Sequence, residues 1–392
     1  MNNFATRIIE WQRRHGRHGL PWQGAEAYRV WVSEIMLQQT QVASVIPYYL
    51  RFVTSFPDIA ALAAASEDEV LAHWSGLGYY SRARNLHRAA QLIMQRHEGK
   101  FPREFDDIMA FPGIGRSTAA AICALAFHER RAILDGNVKR VLARYCAIEG
   151  YAGKKEVEMQ LWREAEALLP RQPSPHPSRE RILESDGLDD SIATYIQGLM
   201  DLGATICIRT RPRCDVCPVR KNCAAYQSGR VALLPTPRPR KTLPEKHSTF
   251  LLLLNGSDIL LEKRPGSGVW GGLWCPPQFD DEQSALAWCK QRSIAIDKSP
   301  CYAYGVNSTR QAEREVSGNN QSGNLTKQCE VLVPFTHTFT HFKLHISPFL
   351  VLVTHKPEQV QEPGREWLDV EKALHTAIPA PVRKLLEEII QG

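Results

Sequence analysis

The sequence predicts a chain of two domains, an all-α domain followed by an α+β domain. Its 392 residues allow two or three domains at about 150 residues each. Apolar residues recur at helical spacing from Phe4 to about Tyr226, and no strand pattern interrupts them. After a stretch rich in proline and basic residues, strand-like alternation replaces the helical spacing. We therefore place the all-α domain at 1–229, an extended, semi-rigid linker at 230–246 and the α+β domain at 247–392.

The composition is that of an ordinary globular protein, with 43% apolar and 23% charged residues. This excludes a disordered, collagen-like or coiled-coil chain. No apolar run approaches the ~20 residues that a membrane-spanning helix needs, and Met1 to Gln12 lacks the apolar centre of a secretory signal. The net charge is +6, and most of the positive excess precedes residue 230. This charge favours a polyanionic partner, and we expect a monomer without membrane contact.

Several helices of the first domain have clear signals. Apolar residues over 33–52 follow helical spacing, and Ser66 to Glu69 form a capping box before a helix. Further helices are predicted over 118–127 and 138–145. Residues 171–190 are rich in proline, serine and charge, which predicts an exposed loop.

The second domain has alternating and β-rich segments. Strands are predicted over 248–254, 258–264 and 344–355, and residues 335–341 alternate with period two. The pattern becomes helical from Trp367 to Ile390. Together these segments predict an α+β fold.

Four of the ten cysteines lie close together with the spacing C-x6-C-x2-C-x5-C. Such a cluster in a long chain indicates a metal centre rather than a disulfide framework. Four thiolates suit either zinc or a [4Fe–4S] cluster, and the residue chemistry alone leaves both open. The loop between the first two cysteines has three arginines, which suits contact with phosphates or a solvated surface. The four cysteines are Cys207, Cys214, Cys217 and Cys223.

A glycine-containing turn lies between two helical patterns near 105–127. Gly113 and Gly115 let the backbone turn with positive φ and approach a ligand closely. The next helix begins near Ser117, so its free amides face the same ligand. The turn is therefore either a phosphate-binding hairpin or a purely structural connection between helices.

Two carboxylates occur in unusual surroundings. Glu34 lies in an apolar stretch, where it is either a first-turn glutamate capped by Ser33 or a desolvated general acid with a raised pKa. Asp135 precedes Gly136 and Asn137, which is typical of a turn or a helix cap. It follows the hairpin by about one helix and a turn, so it could return to the same surface.

The order of these motifs resembles the endonuclease III superfamily of DNA glycosylases. Within it, residues 20–42, the segment Gly76 to Leu86 and the segment Met200 to Ala204 resemble adenine DNA glycosylases. The resemblance covers nearly the whole chain. It implies an all-α helix-hairpin-helix domain with a [4Fe–4S] loop at 207–223, followed by an α+β Nudix-like domain.

The resemblance implies a base-excision enzyme that acts on adenine opposite 8-oxoguanine or guanine in double-stranded DNA. Glu34 would protonate the flipped adenine, and an ionised Asp135 would stabilise the sugar cation. Ser117 occupies the position where the lyases of the superfamily have a lysine, so we expect a monofunctional glycosylase. A bacterial cytoplasm, close to the nucleoid, is the expected location.

The resemblance also assigns contacts to base and duplex. The assigned residues are Trp22, Gln38, Gln39, Tyr79, Tyr80, Arg84, Gly113, Gly115, Ser117, Asn137 and Gln197. Trp22, Ser117 and Gln197 map to the adenine pocket, and Gln39 fills the space beside the extrahelical base.

The second domain resembles the MutT-like domain of the same family. Residues 280–292 lack the glutamate-rich box that binds Mg²⁺ in Nudix hydrolases, so recognition of 8-oxoguanine is the expected role. The recognition tip has Phe339, Thr340 and His341, with Thr340 where the family has serine. The 230–246 linker is the expected docking segment for repair or replication proteins.

Three other functions fit parts of the sequence. A thymine or oxidised-pyrimidine glycosylase would share the first domain. A DNA scaffold or redox sensor would use the cluster without catalysis. A nucleotide pyrophosphohydrolase would use the second domain, although its metal-binding box is missing.

Overall fold

A computed structural model of the protein describes residues 3–170, 191–239, 242–296, 329–357 and 362–391. These residues divide into two compact units. The first unit contains the described residues within 1–64 and 85–240, and the second contains those within 65–84 and 241–392. The predicted loop at 171–190 lies outside the described residues. No helix among the described residues combines the length and the apolar character needed to cross a membrane.

The part before the proline-rich stretch is helical, as predicted. In chain order its helices are α1 (Asn3–His15), α2 (Ala27–Leu37), α3 (Val42–Ser55), α4 (Ile59–Ala64), α5 (Glu67–Trp74), α6 (Ser81–His97), α7 (Phe105–Met109), α8 (Arg116–Phe127), α9 (Gly136–Tyr145), α10 (Lys155–Ala167), α11 (Ser191–Asp201) and α12 (Ala224–Gln227). A π-helical turn, Leu202–Ile206, follows α11 directly. The predicted capping box is present: Ser66 Oγ accepts from the Glu69 amide, and Glu69 accepts from the Ser66 amide.

The core of the first unit brings α1, α8, α9 and α11 together. Ile8, Leu142 and Ile196 are fully buried in one apolar cluster. Gly198 allows α1 to approach α11, because a Cβ at this position would lie 2.7 Å from Ile8 Cγ2. A larger residue at position 198 would therefore push α1 away from α11.

The second unit contains one mixed sheet. Its elements in chain order are β1 (Glu245–Asn255), β2 (Asp258–Lys263), β3 (Trp274–Cys275), β4 (Gln278–Phe279), α13 (Glu282–Gln291), β5 (Cys329–Val331), β6 (Phe335–Thr338), β7 (Lys343–Leu352), β8 (Arg365–Asp369), α14 (Val370–Leu374) and α15 (Ala380–Gln391). The strand order is β3-β2-β1-β7-β5, and β1 pairs with β7 in parallel. This is the predicted α+β fold.

In two segments the structure differs in detail from the prediction. The sequence pattern places Trp367 in a helix, but it lies in β8 and pairs with Leu260 of β2; the helices begin at Val370. The first part of the predicted linker also contacts the helical unit. Arg144 Nε donates to the Leu234 carbonyl at 2.8 Å, and the Gly150 amide donates to Thr236 Oγ1 at 3.0 Å. Proline removes backbone donors but leaves carbonyl acceptors, so a proline-rich segment can still be held by its neighbours.

Residues 65–84 group with the second unit, although they precede the predicted linker. Lys263 Nζ forms a salt bridge with Asp68 at 2.6 Å, and Ser75 Oγ donates to the Ile378 carbonyl at 2.9 Å. These contacts join residues about 200 to 300 positions apart in the chain. A sequence pattern over a few residues does not show which distant segments of the chain pack against each other.

Candidate active site

Glu34 lies near the C-terminal end of α2 with buried residues on both sides, Ser33 and Ile35. Because α2 begins at Ala27, Glu34 is not a first-turn residue and Ser33 is not its cap. Burial, and second to it the negative charge of Asp135, raise the pKa of Glu34 from 4.5 to about 8. A carboxyl with this pKa keeps its proton at neutral pH and can act as a general acid.

Asp135 is the N-cap of α9. Its Oδ1 accepts the Val138 amide hydrogen at 2.7 Å, and the start of a helix favours a negative charge. Burial raises the pKa of Asp135 above its ordinary value, while the Val138 amide and the Arg140 guanidinium act in the opposite direction. Asp135 therefore has donors that favour its ionised form.

The two carboxylates share one site in the first unit, since the charge of Asp135 contributes to the raised pKa of Glu34. Their surroundings are unlike. No donor among the described residues contacts the Glu34 carboxyl, whereas Asp135 accepts a hydrogen bond and lies near two cations, Arg140 and Lys139. A pair of this kind separates the roles of proton donor and anion.

Ser117 holds the segment that leads to Asp135. It lies in the first turn of α8, and its Oγ accepts the Leu134 amide hydrogen at 3.0 Å. The hydroxyl therefore links the hairpin helix to the residue immediately before Asp135. This contact was not predicted from the sequence, from which the resemblance places Ser117 in the adenine pocket and at the position of the lyase lysine.

The turn between α2 and α3 contains Gln38 and Gln39. Gln38 Nε2 donates to the Gly113 carbonyl and to Thr118 Oγ1, both at 3.3 Å, which ties the end of α2 to the hairpin. Gln39 is exposed and has φ of +60°. A non-glycine residue in this conformation is strained, and such strain is common at functional positions.

The hairpin between α7 and α8 uses its two glycines differently. Gly113 has φ of +80°, and a Cβ there would lie 3.0 Å from Asn85 Cβ. Gly115 is the N-cap of α8 with φ of −96°, so the expected positive φ is wrong for this residue. Because no heavy atom lies within 4 Å of an added Cβ at Gly115, the start of α8 is open to a ligand.

Trp22 and Gln197 are both buried in the first unit. The Trp22 ring packs edge-to-face on Tyr49 with ring centres 5.2 Å apart. Gln197 Nε2 donates to Asp201 Oδ1 at 2.9 Å. Asp201 was not among the predicted site residues, although it lies in the segment Met200 to Ala204 that carries the family resemblance.

Asn137 is held by a further residue that sequence reasoning missed. Arg140 Nη2 donates to Asn137 Oδ1 at 2.8 Å and to the Gly203 carbonyl at 2.7 Å, and Arg140 Nε donates to the Cys207 carbonyl at 2.7 Å. One guanidinium therefore contacts the loop of Asp135, the π-helical turn and the first cysteine. The signal in the sequence is the spacing of Arg140 from Asn137, which places both on one face of α9.

The four cysteines surround one cavity in the first unit. All four line it, together with apolar residues and several arginines. Yet no three His, Cys, Asp or Glu side chains among the described residues converge closely enough to hold a single metal ion. Four thiols around one shared cavity are a ligand set that suits either zinc or a [4Fe–4S] cluster.

Positive charge near these thiols suits an anionic centre. Arg144 Nη1 lies 3.4 Å from Cys207 Sγ and donates to the Ile208 carbonyl at 2.7 Å. Arg144 is buried, so its charge needs a partner of opposite sign. Thiolate ligands would provide one.

In the second unit, the adjacent tyrosines Tyr79 and Tyr80 differ in exposure. Tyr79 is exposed with φ of +50°, whereas Tyr80 is buried and its hydroxyl donates to the Ile378 carbonyl at 3.4 Å. Arg82 supports the turn because Nη2 donates to the Gly78 carbonyl at 3.0 Å and its guanidinium lies over the Tyr79 ring. Tyr79 is thus available to a ligand, whereas Tyr80 is anchored through its hydroxyl, although both tyrosines line a cleft of this unit.

The same unit contains a large cleft that includes Tyr79, Arg84 and the predicted recognition tip. The tip is the β6–β7 turn, in which the Phe339 amide donates to the Phe342 carbonyl at 2.8 Å. Phe339 stacks on Phe342, while Thr340 and His341 are exposed. Arg84 donates to the Gly271 carbonyl, so it supports a wall of the cleft.

Two aromatic residues that were not predicted also line this cleft. The Trp270 ring lies 5.4 Å from Phe339 and 5.7 Å from His337, measured between ring centres. Trp270 has φ of +54°, which is rare for a bulky residue. The cleft is therefore an aromatic pocket suited to a planar ligand such as a base.

Helix α13 of the second unit is poor in the carboxylates that a Nudix metal site uses. The sole acidic residue of this helix is Glu282 in its first turn. Carboxylates on one face of this helix would be needed to bind Mg²⁺. Helix α13 therefore does not present such a set of carboxylates.

Comparisons with known proteins cover both units. Residues 32–167 match the HhH-GPD superfamily base excision DNA repair protein, and residues 249–388 match the NUDIX domain. An adenine DNA glycosylase of Buchnera aphidicola is 36% identical, over 98% of this chain and 97% of its own length. The human adenine DNA glycosylase is 32% identical, over 99% of this chain and 74% of its own length. A solved thermostable thymine-DNA glycosylase is 26% identical over 58% of this chain and 97% of its own, with a TM-score of 0.49.

Proposed function

Because the chain belongs to the adenine DNA glycosylase family, we propose that it removes adenine mispaired with 8-oxoguanine or guanine from double-stranded DNA and leaves an abasic site. The observation that carries this proposal is the pairing of Glu34, whose pKa is raised to about 8, with Asp135 at the start of α9. The relatives named adenine DNA glycosylase match both units of the chain, which supports adenine rather than a pyrimidine as the base.

The reaction uses the two carboxylates in turn. The adenine leaves the base stack and enters the site of the first unit. Protonated Glu34 gives its proton to N7 of the base, which makes adenine a better leaving group. The bond between C1′ and N9 breaks, and the Asp135 carboxylate stabilises the sugar cation that remains. Water then adds to C1′ and releases a proton, so the net reaction is hydrolysis.

The enzyme is proposed to be monofunctional. A lyase needs an amine that attacks C1′, and the hairpin helix offers Ser117 at that position. The Ser117 hydroxyl accepts a hydrogen bond from the Leu134 amide, which supports a positioning role. Strand breakage should therefore need an added base.

The direct test uses labelled duplexes with A opposite 8-oxoguanine, A opposite G, A opposite T and C opposite 8-oxoguanine. We expect cleavage after hot alkali at the mispaired adenine only. Cleavage without alkali would reveal a lyase nucleophile. Tight binding without base release would support a DNA scaffold instead.

The pKa of Glu34 predicts how excision depends on pH. The reactive form has Glu34 protonated, and this form is lost as the pH rises through about 8. The single-turnover rate should therefore be level between about pH 6 and pH 7.5 and fall about tenfold per pH unit well above 8. Rapid-quench measurements across about pH 6–10 on the A:8-oxoguanine duplex check this. A rate that falls only above about pH 10 would contradict the assignment.

We also propose that Cys207, Cys214, Cys217 and Cys223 hold a [4Fe–4S] cluster. The shared cavity and the nearby Arg144 support this assignment. When bound, the cluster supplies a covalent cross-link for the 207–223 loop, whose arginines Arg209, Arg211 and Arg213 would contact phosphates. It takes no part in the steps above.

Replacing one ligand should remove the cluster. Cys217→Ser is expected to lose the visible absorbance and most of the bound iron, whereas Cys146→Ser, whose thiol does not line the cavity, keeps both. Iron and zinc analysis of the purified variants measures this. Stoichiometric zinc in the wild-type protein would contradict the proposal.

Recognition of 8-oxoguanine is proposed for the cleft of the second unit. In the double variant Phe339→Ala and His341→Ala, the preference for A:8-oxoguanine over A:G should decrease about tenfold, since stacking on an aromatic ring is worth about 1–3 kcal/mol. Single-turnover rates and dissociation constants on both duplexes measure the ratio. Val333→Ala, on an exposed residue outside the cleft, is the matched control. An unchanged ratio would refute the role.

We further propose that the protein acts on chromosomal DNA in a bacterial cytoplasm. We also propose that repair or replication proteins bind to the linker. Since Leu234 and Thr236 are held by the first unit, such a partner would bind the linker residues that follow them.

A further inference from the structure

A groove in the first unit, outside the two-carboxylate site, lies between α1 and the cysteine loop. Its volume of about 350 Å³ is at the lower end of the roughly 300–1,000 Å³ that ligand sites occupy. One wall is the face of α1 that contains Arg7, Trp11 and Arg14, which follow one another at helical spacing. The other wall consists of residues within 215–221. We call this site the α1 groove.

The α1 groove has an excess of positive charge. Its arginine and lysine side chains outnumber its carboxylates: Arg7, Arg14, Arg220 and Lys221 line it, against Glu10 and Asp215. Arg14 and Lys221 form no ion pair within the described part of the chain. Arg220 Nη1 donates to a neutral oxygen, the Asp215 carbonyl, at 3.3 Å. The charges of Arg14 and Lys221 are therefore available to an anionic ligand.

The same groove has apolar lining. Trp11, Cys217 and Pro218 contribute to it, and Trp11 belongs to the apolar core of the first unit, with 8% of its surface exposed. An apolar side chain can pack on the small exposed part of this ring, whereas a stacked nucleic-acid base needs an open aromatic face. Cys217 also lines the four-cysteine cavity, so a ligand in the groove would lie beside that centre.

The positions of two carboxylates favour a protein ligand over a nucleic acid. Glu10 lies on the α1 wall and Asp215 on the opposite wall, and both are exposed. A nucleic-acid backbone has a negative charge at every phosphate, so both carboxylates would repel it. A protein segment can place its own carboxylates beside Arg14 and Lys221 while it directs backbone N–H groups at Glu10 and Asp215.

We propose that the α1 groove binds an acidic segment of a partner protein. One apolar side chain of the segment packs against Trp11 and Pro218, and the carboxylates on either side of it pair with Arg14 and Lys221. Charge complementarity of this kind speeds association and selects the partner. The carboxylates of the candidate active site do not line the groove, so the inference goes beyond the proposed function and does not depend on it.

The first test uses a fluorescein-labelled peptide with a run of aspartates and a single phenylalanine. Fluorescence anisotropy with the 392-residue chain should show saturable binding that weakens between about 50 and 300 mM salt, because salt screens exposed charges. Alanine in place of the phenylalanine should weaken binding about tenfold, because the burial of an aromatic side chain is lost. This comparison changes only the peptide, so the fold of the protein is unaffected.

The second test reverses the two unpaired charges. Arg14→Glu with Lys221→Glu should weaken binding of the aspartate peptide at least about tenfold. A peptide with lysines in place of the aspartates should show the opposite preference and bind the double variant better than the wild type. Arg88→Glu with Arg96→Glu is the matched control, since it changes the net charge equally on exposed residues of α6 that do not line the groove. This control should bind the aspartate peptide as the wild type does.

Hydrogen exchange of the wild-type chain locates the bound peptide. Exchange should slow in α1 and in residues 214–223, and protection confined to other segments would overturn the proposal even if the double variant did not fold. Absence of saturable binding at low salt would also refute it. Equal affinities of the phenylalanine and alanine peptides would show attraction by charge alone. Equal weakening in the control variant would show an effect of net charge.

A nucleic-acid competitor separates the remaining alternative. A short oligothymidylate should leave the labelled peptide bound at a concentration of negative charges equal to that of the unlabelled peptide, which displaces it. Displacement by the oligothymidylate from the wild type, together with weaker oligothymidylate binding by Arg14→Glu with Lys221→Glu, would assign the groove to nucleic acid and contradict the proposal.

Discussion

Glu34→Gln should abolish base release and leave binding of the mispaired duplex intact. Glutamine has nearly the same shape as the protonated acid that Glu34 forms at neutral pH, but it has no proton to give. General acid catalysis contributes roughly 10²–10⁴-fold, so the single-turnover rate should decrease by at least that factor. Excision and equilibrium binding on the A:8-oxoguanine duplex measure the two effects separately. Glu156→Gln, an exposed glutamate of α10, is the matched control.

The same variant has a predictable effect on stability. The carboxyl of Glu34 binds its proton more tightly in the folded chain, with a pKa of about 8 against 4.5. The folded state therefore holds the extra proton between these values, and the free energy of unfolding decreases as the pH rises through this window. Because glutamine does not titrate, Glu34→Gln should be more stable than the wild type at about pH 8–9, with a higher Tm. Wild-type turnover by this variant would overturn the general-acid assignment.

Asp135→Asn should lose most of the activity while keeping the fold. Asparagine caps a helix as well as aspartate does, so its side-chain oxygen can still accept the Val138 amide hydrogen, as Asp135 does at 2.7 Å. The negative charge opposite the sugar cation is lost. Removing one electrostatic contact of this kind typically costs about 10²–10³-fold in rate, which single-turnover assays would detect easily.

A second cap provides the comparison for Asp135. Asp281 is the N-cap of α13 and accepts the Ser284 amide hydrogen at 2.7 Å, the same arrangement in a different unit. Asp281→Asn should keep the wild-type rate and a wild-type Tm. If Asp135→Asn and Asp281→Asn behaved alike in the assay, Asp135 would be only a helix cap.

The surroundings of Asp135 also explain how it can be ionised at a pH at which Glu34 is protonated. Asp135 must be ionised to stabilise the cation, while Glu34 must be protonated. Once Glu34 is neutral, it no longer repels a negative charge on Asp135. The Val138 amide and the Arg140 guanidinium then favour the ionised form of Asp135. The ionised form of Asp135 thus favours the protonated form of Glu34, and protonated Glu34 in turn favours ionised Asp135.

Local patterns in the sequence were sufficient for most of the elements and for the choice of candidate reactive groups. Helical spacing, the capping box at Ser66 and the alternation over 335–338 depend on neighbours within a turn or a strand. The four cysteines and the hairpin glycines were recognisable because their spacing is fixed by chemistry that acts over a few residues.

Roles that depend on distant neighbours were decided only by the tertiary structure. Tyr79 and Tyr80 are adjacent in the chain, yet one is exposed and the other is hydrogen-bonded to Ile378. Asp201 was not recognised as a partner of Arg17, because the two residues are 184 positions apart.

The sequence by itself determined the fold class, the two candidate carboxylates and the four candidate ligands. Only the tertiary structure decided that Glu34 titrates near 8, that Ser117 holds the segment before Asp135 and that residues 65–84 belong to the second unit. The physical reason is the range of the interactions. Spacing reports the geometry of one helix or strand, whereas desolvation and charge–charge repulsion depend on every side chain that packing brings within a few ångströms.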